Sequence, residues 1–219
     1  MFSAKLIATT APCKEMIDQG IETLHDLIAY CARVSNPGGQ LNNDTAEKLT
    51  NYLFKHKHFS PFEMVNCVVE INCPRDIARQ ILRHRSFSFQ EFSQRYAEVS
   101  QLKTSFCKRE LRLQDVKNRQ NSIPSNCFEL SSWWNDTQQE IINLVNIRYE
   151  QALKKGIAKE IARAILPEGL TMSRIYVNGT IRSWIHYLQV RMEEGVTQQE
   201  HVILARLISD QINTVFKVI

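Results

Sequence analysis

Glycine and proline are scarce in this chain, with seven and six in 219 residues, and no G-x-G-x-x-G or G-x-x-x-x-G-K-[ST] can be drawn from them. Loops that cradle phosphate on backbone N–H groups are thereby excluded, so any nucleotide must be held by side chains. The same scarcity excludes collagen-like and low-complexity stretches. The six cysteines (Cys13, Cys31, Cys67, Cys73, Cys107, Cys127) contain no C-x-x-C pair. With no basic-then-apolar start of the secretory kind, the expectation is a reduced, soluble, cytoplasmic protein. No apolar run approaches the roughly 18–20 residues that a membrane-spanning helix needs, so no membrane contact is expected.

What is present suits one folded domain over residues 1–219. The hydrophobic fraction is 43% and the charged fraction 23%, near the globular average. A net charge of +4 does not by itself point to nucleic acid. Its placement says more: Arg75, Arg79, Arg83, Arg85 and Arg95 fall within a short segment opposed only by Asp76 and Glu91.

Periodicity predicts a first helix on Ile21, Leu24, Leu27, Ile28 and Cys31, and a second after Asn42-Asn43-Asp44 that runs to His58. Residues 63–71 alternate and are rich in β-branched side chains, which predicts a strand. Pro74 and Asp76 start a short helix through Ile77, Ala78, Ile81 and Leu82 that delivers Arg83-His84-Arg85 at its end. A polar stretch over 101–126 reads as a substrate-covering loop. A helix capped at Ser131 or Ser132 follows to Lys155, then another from Ile161 to Pro167. Thr180 caps a helix through Met192, and Thr197 with Glu200 spells a capping box for the last one.

On the helix from Pro74, Arg79, Gln80 and Arg83 project toward one side. An arginine fork suits phosphate, and an amide beside it suits a base edge; ordinary surface ion pairs are the plainer alternative. In the later helix Arg182, His186 and Gln189 share a face. Arg191 lies about half a turn away at roughly 100° per residue, with Trp184, Tyr187 and Leu188. On that apolar side it needs an anion or dipole to offset desolvation, or it snorkels at the helix end. No nucleophile stands out: Cys73 reads as a buried inert thiol, and Ser93 has arginine neighbours without a base. His56, His58 and His84 are joined by no completing carboxylate or cysteine set, so no metal site is expected.

The run from Arg83 to Tyr96 resembles the signature of the flavin-dependent thymidylate synthases: R-H-R, two residues, Ser88, four residues, Ser93, one residue, Arg95. His58-Phe59-Ser60-Pro61-Phe62-Glu63 resembles that family's H-x-[TS]-x-F-E element, and Arg163, Arg182, His186 and Arg191 follow in the family's order. The resemblance implies a single helix-rich α+β domain around a small, mainly antiparallel sheet, assembled as a homotetramer with active sites shared between subunits. It implies conversion of dUMP to dTMP, with methylenetetrahydrofolate as one-carbon donor and FAD reduced by NADPH. Ser60, Arg83, His84, Arg85, Glu91, Thr180, Ile181, Arg182 and His186 would then contact FAD. Gln80, Arg83, Glu91, Phe92, Ser93, Gln94, Arg95, Arg163 and Arg191 would hold dUMP, with Arg191 as the catalytic residue that stabilises charge on the pyrimidine.

Two other readings stay open on residues alone. One is a single-stranded nucleic-acid-binding protein using Arg75 to Arg95 with Phe87, Phe89 and Phe92 as stacking rings. The other is a flavin-dependent nucleotide-modifying enzyme of a different reaction class.

Overall fold

A computed structural model describes residues 2–217. Its centre is a four-stranded antiparallel sheet in the order β1 (Ser3–Thr9), β2 (Asn66–Pro74), β6 (Met172–Thr180) and β3 (Ser88–Glu91). Alternation along β2 puts Cys67, Val69, Ile71 and Cys73 fully inside, and Ile175 and Val177 of β6 join them. The opposite face is polar, where Glu70 pairs with Arg174 across the two strands.

Helices cover the apolar face. α4 (Arg75–Ile81) buries Ile77, Ala78 and Ile81, which leaves Arg79 on its outer side. α7 (Ile181–Arg191) buries Ile181, Trp184, Ile185, Tyr187 and Leu188, and α8 (Gln199–Ile212) buries Val202, Leu204, Ala205, Ile208 and Ile212. The Trp184 indole N–H donates to the Cys67 carbonyl at 3.2 Å, so the largest core ring is oriented as well as buried. α2 (Leu24–Ala32) adds Leu24 and Ile28 to the same core, while α1 (Lys14–Asp18) and α3 (Ala46–Lys55) complete the N-terminal part. A hairpin of β4 (Arg112–Gln114) and β5 (Ser122–Pro124) precedes the 27-residue α5 (Phe128–Lys154). A short α6 (Lys159–Ala162) leads back to β6.

Several sequence expectations shift. The strand of residues 63–71 lies at Asn66–Pro74, because Pro61 sets a 3-10 turn over Ser60–Glu63 that buries Phe62. α5 starts at Phe128 with Cys127 as its N-cap, a turn ahead of Ser131 and Ser132. The helix expected up to Pro167 is α6 followed by a 3-10 turn at Arg163–Ile165. The Thr197–Glu200 capping box does not form: Gln198 is the N-cap, Thr197 Oγ1 donates to the Val190 carbonyl, and Glu200 faces Arg112. The polar stretch is no free flap in its first part. The Cys107 N–H donates to the Leu170 carbonyl, and the Arg109 backbone exchanges bonds of 2.7 and 3.0 Å with the buried Gln138 amide.

Thr180 caps α7 as expected, accepting from the Ser183 N–H. One residue earlier, Gly179 is fixed by packing, since a Cβ there would lie 2.1 Å from Phe87 Cδ1. Phe87 cannot retreat, because Trp184 stands 4.5 Å away by ring centroids and Tyr187 5.9 Å. The same crowding positions His84, whose ring is 6.1 Å from Phe87. Gly179→Ala is therefore expected to cost about 1–3 kcal/mol and to lower the melting temperature by roughly 2–4 °C for each of them, read by near-ultraviolet circular dichroism. An unchanged midpoint would show that the Phe87 contact does not fix the glycine.

His201 of α8 is wholly buried, with Nε2 2.9 Å from the Tyr187 hydroxyl, and burial, then Arg191 and His84, depress its pKa to about 3. Between pH 6.5 and about 3 the unfolded chain binds a proton that the native state refuses. Stability contributed by this group is thus present above pH 6.5 and declines as pH falls, by up to about 1.4 kcal/mol per unit. Urea unfolding at pH 7 and pH 5 should show a smaller loss in His201→Gln than in the parent; equal losses would contradict it.

Candidate active site

The end of α4 and the end of α7 meet in an open cleft of about 350 Å³, lined by Asp76, Arg79, Gln80, Arg83, Glu168 and Arg191. α4 exposes these polar groups because its apolar positions face the sheet. Arg79 is paired with Glu168 at 2.9 Å, both exposed. Arg83 is exposed and has no ion-pair partner among the described residues. Gln80 is held at both ends: its Nε2 donates to Gln198 Oε1 at 2.7 Å, and its Oε1 lies 3.1 Å from His201 Nδ1.

Arg191 is half-buried and meets no carboxylate among the described residues; its Nε donates to His84 Nε2 at 3.0 Å. That bond requires a neutral His84 with its proton on Nδ1. Burial, then the charges of Arg191 and His186, bring the His84 pKa to about 4, which keeps the ring neutral at physiological pH. Burial also lowers the Arg191 pKa, opposed by Tyr187 and reinforced by Arg83, although a guanidinium stays charged throughout the working range. The terminal nitrogens of Arg191 thus carry a positive charge that no acid among the described residues pairs with, at the wall of a cleft that also holds the unpaired Arg83.

The remaining dUMP residues expected from the sequence fall elsewhere. Arg95 pairs with Glu160 at 3.3 Å, and Arg163 Nε donates to the Glu160 carbonyl, so these two gather around α6. Ser93 spends its carbonyl on the Tyr96 and Ala97 N–H groups, and Gln94 is buried with its Nε2 unpartnered among the described residues. Phe92 lines a separate cleft of about 360 Å³ with Phe2, Glu70 and Arg174. Glu91 accepts from Ser173 Oγ at 2.8 Å and pairs with Arg75 at 3.5 Å, bound within the sheet region.

The residues assigned to FAD divide in the same way. Ser60 and Arg182 line one open groove of about 570 Å³ with His58, Phe59 and Pro61, where Arg182 pairs with Glu63. His186 is exposed one turn further along α7, and Arg85 is exposed without an ion pair among the described residues. A dinucleotide carrying a pyrophosphate fits this donor set, since Arg85 and Arg83 are unneutralised and the exposed Arg182 pair is exchangeable at small cost. Thr180 Oγ1 is committed to the Ser183 N–H, and the Ile181 side chain is buried with its N–H donating to the Val65 carbonyl. Ile181 therefore has neither side chain nor N–H to offer a cofactor.

Burial weakens the nucleic-acid alternative, because Phe87 lies in the core, closed in by Trp184 and Tyr187, and cannot stack on a base. The two buried thiols are unfit as nucleophiles: burial pushes Cys67 up to about 11 and Cys73 further, the latter aided by Asp76 and Glu91. Sequence reasoning missed His201, Gln198, Glu200, Arg109 and Arg112, which stand behind Gln80. The only signal was the T-Q-Q-E run, and its spacing points to a helix cap instead.

Comparison with known proteins matches this arrangement to a family. The model of the thymidylate synthase complementing protein (Thy1) family covers residues 19–216. A probable flavin-dependent thymidylate synthase of Paramecium bursaria Chlorella virus 1 is 49% identical over 203 residues, 93% of this chain and 90% of its own. The flavin-dependent thymidylate synthase of Synechocystis sp. is 47% identical over 197 residues, 90% and 87% of the two chains. A UMP/dUMP methylase, PolB of Streptomyces cacaoi, solved with 5-Br dUMP bound, superposes with a TM-score of 0.76 at 24% identity, covering 100% of this chain and 92% of that one, which shows a shared fold. With the family model spanning nearly the whole sequence and relatives close to half identical along it, the chain belongs to the Thy1 family, that of the flavin-dependent thymidylate synthases.

Proposed function

We propose that this protein makes dTMP from dUMP, taking its one-carbon unit from methylenetetrahydrofolate and its reducing equivalents from NADPH by way of FAD. The observation that carries this reading is the Arg191–His84 pair beside Gln80 and Arg83. It joins a desolvated cation, a base-reading amide and a free phosphate-binding fork in one cleft. The names of the relatives and the nucleotide bound to the structural neighbour support it.

FAD, when bound, supplies the redox chemistry; the chain supplies position and charge. Arg83, with Arg79 nearby, holds the dUMP phosphate. Gln80 presents an N–H and a lone pair to the uracil edge. Arg191 faces the pyrimidine as negative charge grows on it, and its partly desolvated setting strengthens that attraction. Because His84 stays neutral, it orients Arg191 without adding a repelling charge or removing a needed one. Ser60, Arg85, Arg182 and His186 are the side chains assigned to FAD.

Arg95 and Arg163, gathered at Glu160 outside this cleft, would complete a neighbouring subunit's site in a homotetramer. Exposed Ile141, Leu144 and Ile147 on α5 offer apolar surface for such packing. The cytoplasmic, reduced setting and a single functional domain over 1–219 belong to the same reading; among the described residues no helix is long and apolar enough to cross a membrane.

The protein loaded with FAD and given dUMP, methylenetetrahydrofolate and NADPH is expected to form dTMP, followed by chromatography of the nucleotides. A preparation that neither retains flavin nor forms dTMP would refute the proposal. Arg191→Ala should lower kcat by about 100-fold or more while the flavin absorbance stays with the protein. Near-normal turnover would remove Arg191 from the chemical step.

A further inference from the structure

Behind Gln80 runs an unbroken chain of polar side chains that the proposed reaction does not use. Tyr187 Oη lies 2.9 Å from His201 Nε2, and His201 Nδ1 lies 3.1 Å from Gln80 Oε1. Gln80 Nε2 donates to Gln198 Oε1 at 2.7 Å, and Gln198 Nε2 donates to Glu200 Oε2 at 3.0 Å. The other carboxylate oxygen of Glu200 meets Arg112 and, at 3.7 Å, Arg109. Tyr187, His201 and Glu200 are buried, the first two completely.

We propose that Glu200 is a positioning residue for pyrimidine recognition: through Gln198 it fixes which way round the Gln80 carboxamide faces the cleft, so that the site takes uracil and rejects cytosine. This rests on the reading of the cleft as a dUMP site. Only one end of the chain has a fixed polarity. A tyrosine hydroxyl can donate or accept, a neutral imidazole can exchange tautomers, and each carboxamide can turn over. An ionised carboxylate held by arginines can only accept. Gln198 must therefore turn its N–H groups to Glu200 and its oxygen to Gln80. Gln80 must in turn point Nε2 at Gln198 and Oε1 at His201, which sets the proton of His201 on Nδ1 and makes Tyr187 the donor to Nε2.

Burial acts to raise the Glu200 pKa, but the hydrogen bond and charge of Arg112, with the Gln198 contact, outweigh it and keep the carboxyl below its usual value. The carboxylate is thus ionised whenever the protein is folded near neutral pH. After these bonds Gln80 retains one N–H and one lone pair, in an order that cannot reverse without an unpaired buried group. Uracil offers a carbonyl beside N3–H, the complement of that order. Cytosine offers an amino group beside an unprotonated N3, the opposite order, and would set donor against donor. Amides thus carry the sign of a remote buried charge to the cleft while the Glu200 carboxylate itself stays enclosed behind Gln198.

Isothermal titration of the FAD-loaded protein with dUMP, dCMP and 2-deoxyribose 5-phosphate tests this. Gln198→Met cuts the relay at similar volume and leaves the Glu200–Arg112 pair in place. Its dUMP dissociation constant should rise about tenfold and its preference for dUMP over dCMP should shrink by a similar factor, while the sugar phosphate binds as before. Glu200→Gln permits either amide order and should shrink the preference likewise. The proposal is overturned if Gln198→Met keeps both dUMP affinity and preference while Gln80→Ala loses dUMP, a result that leaves the site reading intact. It is overturned equally if Gln198→Met loses dUMP and the sugar phosphate together, which marks the chain as purely structural. Failure of the parent protein or of Gln80→Ala to show any Gln80-dependent dUMP binding overturns the relay and the site reading together.

Discussion

A guanidinium half-buried with no carboxylate beside it among the described residues dictates the surroundings of Arg191. Its charge has left part of its water behind, so it needs dipoles that do not cancel it. His84 meets that need by accepting from Nε, and it can do so only while neutral. The neutrality comes from burial among Tyr187, Phe87 and Arg191 itself, so cation and acceptor enforce each other's state. The close fit of Phe87 on Gly179 then ties the Arg83-His84-Arg85 segment to the sheet, which converts an exposed turn into a fixed platform.

The acids around this platform are engaged by groups other than Arg191: Asp76, which lines the same cleft, pairs with Arg109. Glu91 is held by Ser173 and Arg75, Glu168 sits against Arg79 at the rim, and Glu200 is enclosed behind the side chains of Gln80 and Gln198. An acid in contact with Arg191 would have stabilised the native chain and disabled the cation for an incoming anion. Amides serve between the two because they transmit direction without net charge. The local surplus of positive charge is thus preserved at some cost in native ion pairing.

Much of this site could be read from the sequence, because its elements are short-range. The Arg83-to-Arg95 spacing, the Pro74 helix start, the Thr180 cap and the placement of Arg191 with Trp184 and Tyr187 each depend on neighbours within a few turns. β1 and β6 escaped notice for opposite reasons. β1 is an edge strand that is partly exposed along its whole length, so its alternation is blurred, and β6 places Ser173 and Gly179 at inward positions where an apolar residue would have declared the pattern. Counting arginines against acids within the segment also misled, since Arg79 and Arg95 find Glu168 and Glu160, far along the chain. Of that segment's five arginines, only Arg83 and Arg85 keep an unneutralised charge among the described residues.

Glu200 shows where local reading fails in principle. Thr197 and Glu200 have the spacing of a capping box, worth about 1 kcal/mol at a helix start. Against this, Arg112 offers a charge-assisted bond in a buried setting, where the alternative is an uncompensated charge that costs several times more. The ion pair prevails, although Arg112 lies 88 residues away and cannot be inferred from any window of the sequence. With Glu200 turned inward, the helix N-terminus is left to Gln198, whose side chain is then free to point at Gln80. The lost cap and the link to the cleft are therefore one event. The same ion pair that overrides the local signal places an amide where it can hold Gln80 at the cleft wall.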